Sequence, residues 1–254
     1  MTVTFGATTL IGFLLALART APWVVMSPPF TAMPIPMTVQ TGIAASLALL
    51  ATPTLIAAGP LPTTTPEFIG AIFVQVFMGF AMGLVTKTLF SAFEAAGSIS
   101  DLFGGIVLPP SLDPLSENQV PKLGQLYQLV AVMLLFASGG DLLIVKGFTT
   151  SFRAVVPTMA SLGMISQVLT SDFATLFVSA LEIAAPVLVV MFATQVMLGL
   201  LSRTAPQINV FILGFPIQVT LALVSIALAI RVLPTGVDTM VQRIVIDAAH
   251  VAGL

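Results

Sequence analysis

The sequence lacks the residue types on which most enzymes depend. Its 254 residues include no cysteine and a single histidine, His250. The first absence excludes disulfides, thiolate metal sites and cysteine nucleophiles, and the second leaves almost no general base or zinc ligand. No P-loop, GxGxxG, HExxH or GxSxG motif is present. We therefore predict no catalytic residue, no metal site and no cofactor.

Charge is equally scarce. Charged residues make up 7% of the chain and hydrophobic residues 57%, with a mean hydropathy of +1.12; a soluble protein carries about 25% charged residues. A formal net charge of -2 leaves no basic surface that could neutralise nucleic-acid phosphates. The composition excludes nucleic acid as a partner and predicts that membrane lipid or other apolar helices surround most of the chain.

Long apolar runs without alternation predict membrane-crossing helices and not a β-barrel. When charged residues and prolines are taken as boundaries, six hydrophobic helices result. The five prolines between residues 22 and 36 predict a poorly helical connection after the first helix. The sequence therefore predicts an all-α polytopic membrane protein with one domain over residues 1–254. The six helices are expected near residues 4–21, 37–58, 68–86, 123–139, 173–201 and 208–230.

The third helix is predicted to be too long for a simple crossing. No proline interrupts residues 68–103, and a helix of that length is about 54 Å long, against a hydrocarbon core of about 30 Å. Its second half, up to Asp101, is amphipathic and is expected to face water on one side. Small and polar stripes on the third and sixth helices predict close helix packing, within the chain or between subunits. The stripe residues are Gln75, Gly79 and Gly83, then Gly214, Gln218 and Ser225.

Residues 104–122 form the most unusual connection, with the sequence GGIVLPPSLDPLSENQVPK. Its four prolines prevent a helix or a central strand. Its apolar side chains are not typical of a disordered segment, and loops of this length are usually functional. It is either a packed loop that plugs or constricts a passage, or a structural loop that covers an apolar crevice. The residues assigned to the plug are Gly104, Gly105, Ile106, Val107, Leu108, Pro109, Asp113 and Pro114.

A few charged residues lie within or beside the apolar runs. Asp141 follows Ser138-Gly139-Gly140 and is expected at a helix end or kink. Glu182 is expected at the rim of the fifth helix, since a mid-membrane carboxylate would mark a proton or cation path. With Arg19 assigned to the first loop, the positive charges divide four against four between the two sides, so they give no orientation.

A specific resemblance lies between the fifth and sixth helices. Residues 199–217 read GLLSRTAPQINVFILGFPI, which resembles the signature of the flagellar biosynthetic protein FliR family. Pro28-Pro29-Phe30 after Arg19, the Asp113-Pro114 loop and Gly124-Gln-Leu-Tyr127 follow in that family's order, so the resemblance covers essentially the whole chain. Ser138-Gly139-Gly140 departs from the Asn-Gly-His common in relatives. The signature turn carries Arg203, Pro206, Gln207, Asn209, Gly214 and Pro216.

The resemblance implies a subunit of the type III protein export gate at the flagellar basal body, in the bacterial inner (plasma) membrane. Its helices would form hairpins, and the loop before Asp113-Pro114 would help to close the secretion pore. Implied partners are the P-type and Q-type gate subunits and the switch subunit, with unfolded export substrates passing transiently. An injectisome gate subunit is the first alternative, and a solute transporter with broken helices is the second.

Overall fold

The computed structural model describes residues 6–32, 35–104, 122–153, 159–205, 207 and 210–253. Within these ranges the regular structure is entirely helical. The helices in chain order are α1 (Ala7–Met26), α2 (Pro28–Thr31), α3 (Met37–Ala58), α4 (Thr65–Gly104), α5 (Lys122–Ala137), α6 (Gly140–Thr150), α7 (Met159–Thr204), α8 (Val210–Ala229) and α9 (Leu233–Ala252), with a 3-10 turn at Ser151–Arg153.

Four of these helices are long and apolar enough to cross a membrane, namely α1, α3, α4 and the Ile165–Thr204 part of α7. Two bent pairs raise the number to six if each pair forms one span, with bends of 80° between α5 and α6 and 48° between α8 and α9. Gly139, at φ 71°, makes the first bend, because glycine adopts the left-handed region without a steric penalty. The predicted all-α polytopic class, with about six apolar helices, is confirmed.

The first helix continues further than the prolines led us to expect. Pro22 lies inside α1, which ends at Met26, and Pro28-Pro29 open the short helix α2. Proline is tolerated in the first turn of a helix, where its missing N–H is not needed. The prediction of a poorly helical segment over residues 22–36 was therefore wrong at its start. The assignment of Arg19 to a loop was also wrong, since Arg19 lies within α1 and is buried.

The two longest helices are α4 and α7, and the start of α4 has an identifiable cause. In α4, Glu67 Oε2 accepts the backbone N–H groups of Thr63 and Thr64 at 3.1 and 3.3 Å, which is the glutamate half of a Thr-x-x-Glu capping box. Its 40 residues confirm the overlong third apolar helix. In α7, 46 residues continue through Pro186, so the predicted 173–201 segment was too short. Hydropathy alone missed the polar first turns of α7 and the amphipathic α9.

The described chain divides into two compact units. One comprises Met1–Leu89, Leu135–Ala174 and Asp238–Leu254. In this unit α1 and α3 are antiparallel. Thr20 Oγ1 donates to the Ala44 carbonyl at 3.1 Å, whereas Gly12, earlier in α1, lies against Thr52 and Ile56, later in α3. The Trp23 ring stacks on Phe148 of α6 with centroids 4.1 Å apart. Together these contacts form the apolar centre of the first unit.

The other unit comprises Phe90–Leu134 and Thr175–Val237. It is built from the end of α4, α5, most of α7, and α8. Phe93 and Ile183 both approach the position that a side chain at Gly236 would occupy. Phe90 and Phe93 are fully buried and pack with ring centroids 5.7 Å apart. The prediction of a single domain stays a prediction.

Candidate functional site

The base of the proline-rich connection is built from the end of α4 and the start of α5. Asp101, 1% exposed, accepts the backbone N–H of Leu123 at 2.8 Å through Oδ2. The first N–H groups of a helix lack partners within the helix, and a carboxylate there is also favoured by the helix dipole. Asp101 was expected on a water-facing stripe and is instead buried. It caps α5 from the other side of the connection.

A close backbone approach reinforces this contact. A side chain at Gly97 would overlap the carbonyl oxygen of Leu123 and the backbone of Gly124. Glycine is therefore required at Gly97 if the two helices are to keep this separation. The end of α4 and the start of α5 therefore lie next to each other.

Most predicted plug residues lie outside the described part of the chain. Gly104 is buried as the last residue of α4. The others fall in the range 105–121, which the structure does not describe: Gly105, Ile106, Val107, Leu108, Pro109, Asp113 and Pro114. Their assignment to a plug stays a prediction.

A second polar cluster surrounds Arg19 in the middle of α1. The guanidinium donates from Nε to Gln75 Oε1 at 2.6 Å, and from Nη1 to the Ser151 carbonyl and Oγ at 2.9 and 3.2 Å. Its carbon lies 4.5 Å from the centroid of the Phe152 ring. Arg19 is only 3% exposed, and every partner found among the described residues is uncharged. This cluster joins α1, α4 and the turn after α6.

The stripe predicted on the third apolar helix faces α1 in this unit. Gln75 is the Arg19 partner, and a side chain at Gly79 would overlap the Arg19 carbonyl oxygen. At Gly83 a side chain would meet Met26 and Trp23. Close packing of α4 on α1 thus depends on two glycines four residues apart. A role of this stripe between subunits stays a prediction.

An open cleft adjoins the Arg19 cluster. It measures about 220 Å³ and lies between α1, the end of α3, the Gly59–Pro62 turn and the first turns of α4. Arg19 and Gln75 form its polar wall. The rest is largely apolar and includes Leu15, Leu55 and Leu61. Sequence analysis did not predict this cleft, because the residues that line it come from four separate segments.

A third cluster was also missed. Arg243 of α9 lies between two aspartates, with Nε 3.7 Å from Asp172 Oδ1 and 3.5 Å from Asp247 Oδ2. Asp172 is fully buried, while the Arg243 side chain is 39% exposed. The i,i+4 spacing of Arg243 and Asp247 was a usable signal. Hydropathy does not identify this segment as a helix, so the spacing by itself did not predict the ion pair.

The residues of the signature turn and of the last stripe are distributed along α7 and α8. Arg203 and Gln207 are exposed, and Pro216 is exposed within α8, while Pro206 and Asn209 lie outside the described residues. Gly214 is buried beside Leu198 of α7, Ser225 is fully buried, and Gln218 is half-buried. The stripe on α8 therefore packs against protein, whereas the described residues of the signature turn are exposed.

Two carboxylates that the sequence singled out lie away from these clusters. Asp141 is half-buried in the first turn of α6, directly after the bend, and it lines a small apolar cleft with Trp23 and Phe136. Glu182 is exposed on α7. Among the described residues there is no group of three His, Cys, Asp or Glu side chains that could hold a metal ion.

Comparison with known proteins gives a consistent picture. The family described as bacterial export proteins, family 1, matches residues 10–244. The flagellar biosynthetic protein FliR of Bacillus subtilis (strain 168) is 25% identical over 225 residues, which cover 87% of this chain and 86% of that protein. The protein of the same name from Escherichia coli (strain K12) is 26% identical, over 79% of this chain and 76% of that protein.

Similarity extends to secretion proteins outside the flagellum. The surface presentation of antigens protein SpaR of Shigella flexneri is 32% identical over 154 residues, which cover 60% of this chain and 59% of that protein. The matches to flagellar proteins therefore span more of the chain at a lower identity.

Proposed function

The chain belongs to the family of bacterial export proteins, family 1, and we propose on this premise that it is a membrane subunit of the flagellar type III protein export gate. The long match to flagellar proteins named FliR carries the proposal. Four to six apolar helices supply the membrane part that such a gate requires. The home membrane in this proposal is the bacterial inner membrane, at the flagellar basal body.

The mechanism is passive gating of a pore. Unfolded flagellar proteins pass through the assembled gate, and the loop beginning at Gly104 closes it at rest with its apolar residues. The contacts of Asp101 and Gly97 with the start of α5 support this idea, because they hold the two ends of the loop side by side. The driving force comes from other components of the apparatus, so no residue of this chain performs covalent chemistry.

Assembly with other subunits is part of the proposal. The partners are the P-type and Q-type gate subunits and the switch subunit. Large apolar side chains stay exposed along α7, among them Phe173, Phe177, Val189 and Phe192. Such surfaces mark contacts with protein or lipid. The turn between α7 and α8 then serves assembly and makes no contact with cargo.

The first experiment is co-expression with P-type and Q-type subunits, purification in a gentle detergent and native mass spectrometry. A defined hetero-oligomer that contains this chain is the expected result. A chain that stays monomeric or pairs only with itself in the presence of those partners would argue against the gate.

Pore closure is tested in the assembled complex reconstituted in vesicles. Shortening residues 106–114 is expected to raise ion leakage while assembly survives. Asp101→Ala removes the acceptor of the Leu123 N–H and is expected to raise leakage several-fold, whereas Asp101→Asn, which keeps an acceptor oxygen, should leak less. Glu94→Ala is the matched control, because Glu94 is exposed on the same helix. Equal leakage in all variants would refute the plug assignment.

The similarity to SpaR favours an injectisome gate subunit as the second candidate. Complementation separates the two: the chain should restore flagellar export in a strain that lacks its own FliR, and it should not restore virulence secretion in a strain that lacks SpaR. A solute transporter would instead lose transport on Glu182→Gln or Asp141→Asn, two changes that the gate should tolerate.

A further inference from the structure

The buried charge of Arg19 is the starting point of an inference that is independent of gating. A cation removed from water costs several kcal/mol unless an anion compensates it. Both salt bridges found among the described residues belong to Arg243. Arg19 has only an amide oxygen, a serine and an aromatic ring around it. Within the described ranges its charge is therefore stabilised by dipoles alone.

The guanidinium also keeps donor capacity. Of its five N–H groups, the one on Nε and the two on Nη1 face Gln75 and Ser151. The hydrogen bonds found for the described chain include none from Nη2. Arg19 lines the 220 Å³ cleft, so Nη2 is the part of its guanidinium that is left to bind a ligand there.

The cleft opens toward a polar boundary. In the antiparallel pair, the N-terminal end of α1 lies beside the end of α3 and the turn that follows it. Long helical side chains lean toward the helix N-terminus, which directs the Arg19 side chain toward that turn. Residues 59–64 have no regular structure and are largely exposed. Glu67 caps the N–H groups of Thr63 and Thr64, and the exposed backbone groups that remain require water or headgroups, which places this segment at the edge of the hydrocarbon.

An anion at this site must therefore combine a compact negative group with an apolar body. The negative group contacts Arg19, and the apolar body lies against Leu15, Leu55 and Leu61. Basic pockets between membrane helices recognise lipid headgroups by this chemistry. We propose that the cleft between α1, α3 and the start of α4 binds the phosphate group of an anionic membrane phospholipid through Arg19.

The test uses the full chain in detergent, titrated with phosphatidylglycerol, with phosphatidylcholine and with inorganic phosphate. Native mass spectrometry counts the bound lipid, and thermal unfolding reports stabilisation. Phosphatidylglycerol is expected to stay bound and to raise the unfolding midpoint, whereas the other two are not. A response to inorganic phosphate alone would show a simple anion site and overturn the lipid proposal. Equal binding of both lipids would overturn it as well.

Two variants locate the effect. Arg19→Gln is expected to weaken phosphatidylglycerol binding about tenfold, the change typical when a hydrogen bond to a charged group is lost. Arg153→Gln, which removes an exposed charge from the adjacent turn, should bind as the natural chain does. Unchanged binding in Arg19→Gln would refute the assignment.

A variant that leaves the arginine in place guards against misfolding of Arg19→Gln. Ala71 lines the cleft and is half-buried, so Ala71→Phe should fill the cleft and reduce binding as strongly. Val76→Phe places the same ring at an exposed position of α4 and should have no effect. Binding that survives Ala71→Phe would place the lipid elsewhere and overturn the proposal.

Discussion

Arg19 and Arg243 lie in the same compact unit, and their charges are stabilised in opposite ways. Arg19 is almost fully buried among uncharged partners, with hydrogen bonds of 2.6 to 3.2 Å. The Arg243 side chain is 39% exposed and has two aspartates at 3.5 and 3.7 Å. The more deeply buried cation is thus the one without a carboxylate among the described residues.

This difference decides what each arginine leaves behind when it is removed. Without Arg243, the carboxylates of Asp172 and Asp247 would face each other, one of them with no access to water. Without Arg19, only dipoles lose a partner, and the amide of Gln75 can turn toward the open cleft. A charge left alone costs more than a dipole left alone. Burial by itself is therefore a poor guide to the more damaging substitution.

The largest effect is expected for Arg243→Leu. Removing one member of a buried ion pair costs about 3–5 kcal/mol, and the partial exposure of Arg243 places the expected loss near the lower end. Denaturant unfolding of the purified chain in detergent measures it. Arg231→Leu, at an exposed position before α9, is the control and should change little. A loss no larger than that of the control would mean that the two aspartates do not need the arginine.

The next effect tests the backbone contact that positions Arg19. Gly79→Ala would place a methyl group against the Arg19 carbonyl oxygen, and overpacking of this kind costs about 1–3 kcal/mol. Gly70→Ala on the same helix meets nothing within 4 Å and should be neutral or stabilising by up to about 1 kcal/mol, because alanine favours helix. The difference between the two unfolding free energies measures the contact. If both variants behaved alike, α1 and α4 would not be packed this closely.

A smaller effect is expected for Arg19→Leu despite its deeper burial. The dipoles that it leaves unpaired cost about 1–3 kcal/mol, and the loss of the buried charge offsets part of this. We expect a net loss of about 1–2 kcal/mol, less than that for Arg243→Leu, under the same denaturant conditions. A larger loss than at Arg243 would reverse the comparison and indicate that a bound anion contributes to the stability of the purified chain.

The sequence predicted the helical class and the positions of most spans, because a long apolar run without charge has few alternatives in a membrane. The prediction was wrong where polar side chains from distant segments form hydrogen bonds with one another. The sequence predicts a helix boundary at Arg19, since a charge within an apolar run normally ends the run. The partners Gln75 and Ser151 that permit its burial lie 56 and 132 residues away.

The same limitation explains the two other clusters. Asp101 matched an amphipathic pattern on its own helix, but its partner Leu123 lies beyond the proline-rich connection. Asp172 and Arg243 are similarly distant in sequence. Periodicity reports on one helix at a time, so it identifies faces without identifying what packs on them. At Gly79 and Gly97 the backbones of two helices approach each other closely. The sequence of one helix cannot predict such a contact.

The smallest effect concerns the buried carboxylate of the Arg243 cluster. Neither oxygen of Asp172 has a hydrogen-bond partner among the described residues. The Nε atom of Arg243 lies 3.7 Å from Asp172 Oδ1, and it is closer, at 3.5 Å, to Asp247 Oδ2. Asp172→Asn keeps the volume and removes a charge that is costly to bury, while Arg243 keeps Asp247. We expect a change within about 1 kcal/mol, in the stabilising direction, with the exposed Asp238→Asn as the control. A loss of more than about 3 kcal/mol in unfolding free energy, the size expected for a broken buried pair, would show that Arg243 depends on Asp172. The contrast with Arg19 would then come from one strong ion pair and not from the number of carboxylates.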